Sequence, residues 1–373
     1  MSGTALDDPA ALETADPSAM LRLVAGAGAQ VREATTLAAE AGFTRLAVGG
    51  RPRAVVVVEG DGSSLCSAML AALAGPRSPV PVFTCRGPEL PRWVGAGDAV
   101  LAASARGSEP TLPALEQAGS RGCSVVAVGP ADSPLAAAVA RARGVLVPIT
   151  TGRLPRASLW TLSVPLLLAG EALGLLQLDA GDLAAAADRL DVVAEICRPG
   201  SESFVNPAKQ LALDLAGSLP LAWATSPPTG VAAARLAGQL AANAKHPCLW
   251  AMLSQGGGEQ VAVLDGVFGA QRRPAEPGGD IFADRADGPE PVGVHVVTLR
   301  EPDDAPPADA AAELARERGL GLTALVAEGD GPVERLASLV GLVDFASVYL
   351  ALHLGIDPTP TGAVADLRSR SHR

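Results

Sequence analysis

The sequence predicts an α/β protein built from two parallel sheets, each flanked by helices. Three observations predict it. The first 150 residues alternate continuous apolar runs with helical stretches of about ten residues, the pattern of parallel strands covered on both faces. The same alternation returns more faintly after residue 218. The length, 373 residues at about 150 per domain, leaves room for two to three domains. Apolar residues make up 48% of the chain and aromatics only 3%, so the core is one of Ala, Val and Leu.

The elements follow in order. Ser18 to Ala41 reads as helical. Ala54 to Glu59 is a buried-strand run, followed by Gly60-Asp61-Gly62-Ser63-Ser64 and a helix to Leu73. Val80 to Cys85 is a second strand. Ala99 to Ala103 is a third, followed by Arg106-Gly107-Ser108 and a helix to Ala118. Ser124 to Val128, a helix through Arg143, and Val145 to Thr150 complete the first sheet. Ser158 to Leu176 and Ala184 to Cys197 read as connector helices, punctuated by Pro155 and Pro199-Gly200. In the second half Leu219 to Thr225 is a strand, then Ser226-Pro227-Pro228-Thr229-Gly230, then a helix from Val231 to Ala244. Leu249 to Leu253, Val261 to Leu264, Gly293 to Leu299 and Thr323 to Ala327 are further strand candidates. Asp309 to Arg318 and Val333 to Leu354 read as helices, and the Gly- and Pro-rich stretch from Gly266 to Pro291 as a surface loop. The division expected is a first lobe over 1–152, a connector over 153–200 and a second lobe over 201–373.

Composition excludes several classes. Lys plus Arg is 29 and Asp plus Glu is 40, a net charge of −11 with no basic run, which argues against nucleic acid as a partner. No stretch reads as the ~20 apolar residues of a membrane span. The most apolar segment on this reading, Ala157 to Gly170, carries Ser, Thr and Pro. Met1 to Pro9 lacks a basic-then-apolar leader. The five cysteines are odd in number and show no CxxC spacing, and no HxxxH or HxH pair occurs. The expectation is a cytoplasmic chain with reduced thiols, no metal and no cofactor.

Two strand–loop–helix junctions carry the strongest local signals. After Glu59 the glycines permit a tight turn, and Ser63 or Ser64 is placed to cap the next helix. After Ala103 the loop Ser104-Ala105-Arg106-Gly107-Ser108-Glu109-Pro110-Thr111 offers hydroxyls, a guanidinium and a helix start. Free helix N–H groups and the helix dipole favour an anion at such junctions; ordinary caps and turns use the same residues. Neither loop is a Walker or a GxGxxG sequence. Arg156, after Pro155, could clamp an anion or lie on the surface.

The chain has 27 arginines but two lysines, Lys209 and Lys245, and two asparagines, Asn206 and Asn243. They pair as Asn206-Pro-Ala-Lys209 and Asn243-Ala-Lys245. The pairs are either chance survivors of a coding bias against Lys and Asn or lysines kept for a compact ammonium, and their closeness favours the second.

At these residues the chain resembles the sugar isomerase (SIS) fold family, and within it the dual-specificity phosphoglucose/phosphomannose isomerase branch, over nearly its whole length. Val56 to Ser64 resembles that branch's first glycine–serine loop, with Ser64 at the phosphate-binding serine. Ser104 to Leu112 resembles its Ser-x-Ser-Gly-Asn-Thr loop, with Arg106 in place of the middle Ser and with Ser104, Gly107, Ser108 and Thr111 retained. Pro155 to Trp160 resembles the segment whose Arg faces the sugar phosphate. Asn206 to Ala212 resembles the Asn-x-Ala-Lys-x-Leu-Ala segment opening the second lobe, and Ser347 to Pro358 resembles the C-terminal signature. The resemblance implies two flavodoxin-like SIS lobes, a sugar phosphate ligand and a homodimer. Phe345, Tyr349 and Leu350 are candidates for the dimer interface or for internal core.

The departures lie at the catalytic positions. Where the family carries its Glu, in Glu-Asn-Ala-Lys, this chain has Ala242. Where the family carries its His, this chain has Gly258. Isomerisation needs a base to move a proton between adjacent sugar carbons, and neither residue can serve. Replacement candidates are Glu259, His246 and His353. The function expected is therefore phosphosugar binding with lost or altered catalysis. The alternatives are an active aldose–ketose isomerase with a relocated base, interconverting glucose or mannose 6-phosphate with fructose 6-phosphate, and a structural dimer without ligand.

Overall fold

The computed structural model describes residues 6–43, 46, 50–60, 63–107, 111–253, 258–271 and 292–371. The chain divides into two compact units. One comprises Arg22–Ala194 with Gly329–Ser338; the other comprises Met1–Leu21, Glu195–Glu328 and Leu339–Arg373.

The first unit carries a five-stranded, wholly parallel sheet: β1 (Val55–Glu59), β2 (Val82–Cys85), β3 (Ala99–Ala103), β4 (Ser124–Gly129) and β5 (Val145–Pro148). The strand order is β2-β1-β3-β4-β5. β1 and β3 are buried at every residue, which is why they read as unbroken apolar runs rather than alternating ones. One face of the sheet packs Val56, Val58, Val100 and Ala102 against Leu115, Ala118 and Leu135. The helix Leu159–Ala172 is apolar on all sides because it is buried on nearly all of them. The expected helix from Ser18 is two helices, Met20–Ala25 and Ala27–Ala41, separated at Gly26.

Before β3 the turn is held by a buried carboxylate. Asp98 accepts from Arg53 Nε at 3.0 Å and Nη2 at 2.7 Å, and from Gly95 N at 2.8 Å. The Arg53 hydrogen bonds outweigh burial and hold the Asp98 carboxyl below its ordinary value. A carboxyl depressed in the folded state stabilises above its unfolded pKa and loses that contribution as pH falls through the folded one. The stability gap between the wild-type protein and Asp98→Asn is thus expected to shrink between pH 5 and pH 3, as urea unfolding at several pH values will show.

The second unit repeats the theme with four parallel strands: β6 (Ser218–Ala224), β7 (Leu249–Met252), β8 (Gly293–Arg300) and β9 (Gly321–Val326), in the order β7-β6-β8-β9. Leu221, Trp223, Val294 and Val296 pack against Ala311 and Ala315 of the helix Ala305–Glu317. The run Val261 to Leu264 is not the strand expected. It is a one-turn helix, Gly258–Val261, continued by a 3₁₀ turn, Ala262–Asp265. A short apolar run fits either element by periodicity alone; here the helical turn drives Leu264 fully into the core.

One stretch, longer than Ala157 to Gly170, does reach the length and apolar content of a membrane span, against the expectation. The helix Pro332–His353, 22 residues, is long and apolar enough by length and composition to cross a membrane, yet 89% of its most apolar window is buried inside the protein. It is a core helix. Phe345, Tyr349 and Leu350 lie on it at 2%, 0% and 0% exposure, so they are internal core rather than a surface for a second copy.

Candidate functional site

In a doubly wound sheet, ligands bind at the carboxyl edge where the strand order reverses. In the first unit that point lies between β1 and β3, and the two loops singled out in the sequence flank it. They touch. A Cβ on Gly60 would sit 2.9 Å from Thr111 Cγ2 and 3.1 Å from Ser104 Cβ, so no side chain fits at position 60.

The loop after β1 is not arranged as expected. Neither serine caps the following helix, Cys66–Ala74, whose N-cap is Leu65. Ser63, fully buried, folds back on its own loop: its Oγ accepts from Gly60 N at 2.7 Å and donates to Gly60 O at 3.0 Å. Ser64 is exposed. The helix start is met by Glu59, the last residue of β1. Its Oε1 accepts from Ser67 N at 3.1 Å and from Ser67 Oγ at 2.6 Å. Its Oε2 accepts from Arg86 Nε at 3.2 Å, and Thr84 Oγ1 donates to Ser67 Oγ at 2.8 Å. Glu59 was not among the residues the sequence singled out. The signal was a lone carboxylate closing a run of four valines, with a serine eight residues on.

The loop after β3 has a different build. Ser104 is fully buried, and its Oγ accepts from Gly107 N at 3.0 Å. Gly107 adopts φ +63°, and a Cβ there would lie 2.5 Å from Ser133, so both conformation and space require glycine. Thr111 opens the helix Thr111–Ser120 and is buried; Arg106 is exposed. Ser108 lies outside the described residues.

Arg156, half-buried, sits on a 3₁₀ turn, Pro155–Ala157, just before the helix Leu159–Ala172. That helix starts without a side-chain cap. Ser163 Oγ lies 3.2 Å from Cys66 Sγ, so the helix start that follows Arg156 stands beside the helix start that follows the β1 loop. Ser63, Ser104 and Thr111 thus lie where the β1 and β3 loops touch, while Arg156 stands on the turn that leads from β5 into the helix Leu159–Ala172.

Three other junctions close on themselves. After β4, Ser133 caps the next helix at Ala136 N and Pro134 removes a donor. After β6, Ser226 and Thr229 form a reciprocal capping box, and Pro227 and Pro228 leave two first-turn positions without N–H. After β8, Pro306 and Pro307 do the same in the helix Ala305–Glu317.

The second-unit motif residues hold loops. Asn206 Oδ1 accepts from Ala208 N and Lys209 N, capping the helix Pro207–Leu215, and its Nδ2 donates to Arg198 O. Lys209, fully buried, donates from Nζ to Pro199 O at 2.8 Å and Ser201 O at 2.7 Å. Lys245, in the left-handed region at φ +54°, donates to the carbonyls of Ala242, Asn243 and Asp357. Asn243 Nδ2 reaches Ser347 Oγ at 2.9 Å. Both lysines therefore serve as compact ammonium clamps. Asn243 and Ala242 lie on a π-helical turn, Leu240–Ala244, a distortion common at functional sites.

The three candidates for a relocated base stand on different elements. His246 is half-buried, its Nδ1 3.0 Å from Pro247 O. His353 is half-buried with Nδ1 inside the protein, and burial lowers its pKa, keeping the ring neutral at pH 7. The Lys245–Asp357 clamp draws the segments carrying these two histidines together, while Glu259 is exposed on the separate turn Gly258–Val261. Among the described residues no group of three or more His, Cys, Asp or Glu side chains is placed to hold a metal.

Comparisons with known proteins agree with this architecture. Residues 204–370 match the family model of the bacterial phospho-glucose isomerase C-terminal SIS domain. The bifunctional phosphoglucose/phosphomannose isomerase of Caldicellulosiruptor bescii is 25% identical over 327 residues, covering 85% of this chain and 88% of the relative. Among solved structures, the C-terminal domain of glucosamine-fructose-6-phosphate aminotransferase from Francisella tularensis superposes with a TM-score of 0.64 at 12% identity, covering 91% of this chain and 98% of that one. Tagatose-6-phosphate ketose/aldose isomerase from Escherichia coli superposes with a TM-score of 0.61 at 11% identity, covering 92% and 95%. The fold is that of the SIS proteins, with two parallel sheets flanked by helices. Within that class the chain is phosphosugar-isomerase-like, and its resemblance is to the bacterial phosphoglucose/phosphomannose isomerases.

Proposed function

We propose that the chain binds a sugar phosphate and has lost or altered the isomerase chemistry of its relatives. One observation supports the reading most. The β1 and β3 loops, with the buried hydroxyl residues Ser104 and Thr111, touch at the switch point of the first sheet, where a doubly wound fold takes its ligand. The phosphate seat on this reading is Ser104, Arg106, Gly107, Ser108 and Thr111, with Arg156 as the clamp. Ser63 shapes the seat rather than touching the ligand, and Ser64 flanks it. The catalytic positions of the family hold Ala242 and Gly258, which carry no proton. On the same reading 1–152 is the ligand lobe, 153–200 the connector and 201–373 the second lobe of a cytoplasmic homodimer.

One observation favours the alternative, an active aldose–ketose isomerase. A π turn surrounds Ala242, Lys245 clamps it, and His353, whose pKa burial lowers, lies on the segment that the clamp draws in.

A single experiment separates the two. The protein is incubated with fructose 6-phosphate in heavy water, and the sugar signals are followed by NMR. Line broadening without deuterium at carbon 2 is expected. Arg156→Ala should weaken binding by about 10- to 100-fold, the worth of hydrogen bonds to a charged group. Deuterated glucose or mannose 6-phosphate would establish the isomerase instead. Absence of both signals would remove the phosphosugar reading.

A further inference from the structure

The β1 junction already contains an anion, and it belongs to the protein. Glu59 is 7% exposed, stands at the carboxyl end of β1 and receives both the backbone N–H and the hydroxyl of Ser67 in the first turn of the helix Cys66–Ala74. A second first-turn donor, Cys66 N, is taken by Ser63 O at 2.9 Å. Helix starts favour negative charge through unsatisfied N–H groups and the aligned peptide dipoles. Here a carboxylate has used that preference. Its partner Arg86 follows β2, and Thr84 of β2 donates to the Ser67 hydroxyl that the carboxylate holds, so the carboxylate is engaged on the β2 side of β1.

We propose that Glu59 is a resident anion that closes the β1 junction to phosphate and confines a phosphorylated ligand to the β3 loop. The proposal deepens, and rests on, the phosphosugar reading above. A buried carboxylate repels a second anion brought to the same donors, and repulsive groups of this kind are how a site rejects wrong poses. Two adjoining helix starts that both took phosphate would admit the sugar in two orientations; one closed junction leaves one.

Removing the charge should open the junction. Glu59→Gln keeps the acceptor that Ser67 uses, Glu59→Ser leaves space as well, and Glu59→Asp keeps the charge. Inorganic phosphate is the probe, followed by phosphorus NMR titration alongside fructose 6-phosphate. Both neutral variants are expected to bind inorganic phosphate at least tenfold more tightly than the wild-type protein, with the gain persisting in the Arg156→Ala background. Glu59→Asp is expected to show no gain. Unchanged or weaker phosphate binding in folded neutral variants overturns the proposal. So does the failure of both neutral variants to fold, since Glu59 would then be a structural cap. Wild-type protein that ignores fructose 6-phosphate overturns the phosphosugar reading, whatever the variants do with inorganic phosphate.

Discussion

Asp344→Ala is expected to lower folding stability by about 3–5 kcal/mol, the cost of leaving one member of a buried ion pair uncompensated. Asp344 and Arg235 are 5% and 7% exposed. Arg235 Nε and Nη2 donate to the two carboxylate oxygens at 2.7 and 2.9 Å, the parallel two-bond geometry that makes such pairs strong. Gln239, one helical turn on, donates to the same carboxylate at 3.1 Å. Removing the carboxylate takes from Arg235 and Gln239 their shared acceptor in the core of the second unit. The double variant Arg235→Met, Asp344→Leu should recover most of the loss, because apolar packing of similar volume avoids desolvating two charges. Urea unfolding of the two variants beside the wild type measures both terms. A single variant within about 0.5 kcal/mol of wild type would contradict the burial described here.

The same pair shows what the sequence could and could not disclose. The strands of the first sheet were legible because full burial makes them unbroken apolar runs: Val55–Glu59 and Ala99–Ala103 match the reading at or within one residue. Arg235, Gln239 and Asp344 are polar letters in apolar helices, more than 100 positions apart for the pair, and only the tertiary packing brings them face to face. Val261 to Leu264 misread as a strand because four apolar residues fit both periods. The helix Pro332–His353 was legible as a long, mostly apolar helix, but not as one of membrane-spanning length and composition, because Glu334, Arg335 and Asp344 interrupt it.

The candidate site was legible as location more than as chemistry. The two glycine-bearing loops do flank the switch point, since strand alternation and turn residues fix where they fall. Which groups face a ligand was not legible. Ser63 spends its hydroxyl on its own loop, Ser104 spends at least its acceptor, and the charge at the β1 helix start comes from the strand before the loop. Hydrogen-bond partners of this kind depend on how the loop closes, which no spacing rule encodes.

Lys209 is the place where composition did point to a physical need, and it carries the last prediction. The ammonium is wholly enclosed, with Pro199 O and Ser201 O at 2.8 and 2.7 Å, Asp7 Oδ1 at 3.6 Å, and the Tyr349 ring centroid 5.5 Å away. Lys209→Met is expected to cost about 2–4 kcal/mol, because two buried carbonyls lose their donor. Lys209→Arg is expected to cost about 1–3 kcal/mol, because a planar guanidinium overfills a space shaped for a point charge. Burial pushes the Lys209 pKa down, against the opposing pull of Asp7 and Glu202. The folded state therefore gives up this proton before the unfolded state does. Between the lowered pKa and the ordinary lysine value the unfolded chain holds more protons, so the lysine's contribution rises with pH. The stability gap between wild type and Lys209→Met should accordingly widen as pH is raised from 7 toward 10. A gap that stays level would mean that the ammonium is no harder to keep charged inside the protein than in water, and a clamp of that kind could have been an arginine, as 27 other positions in this chain are.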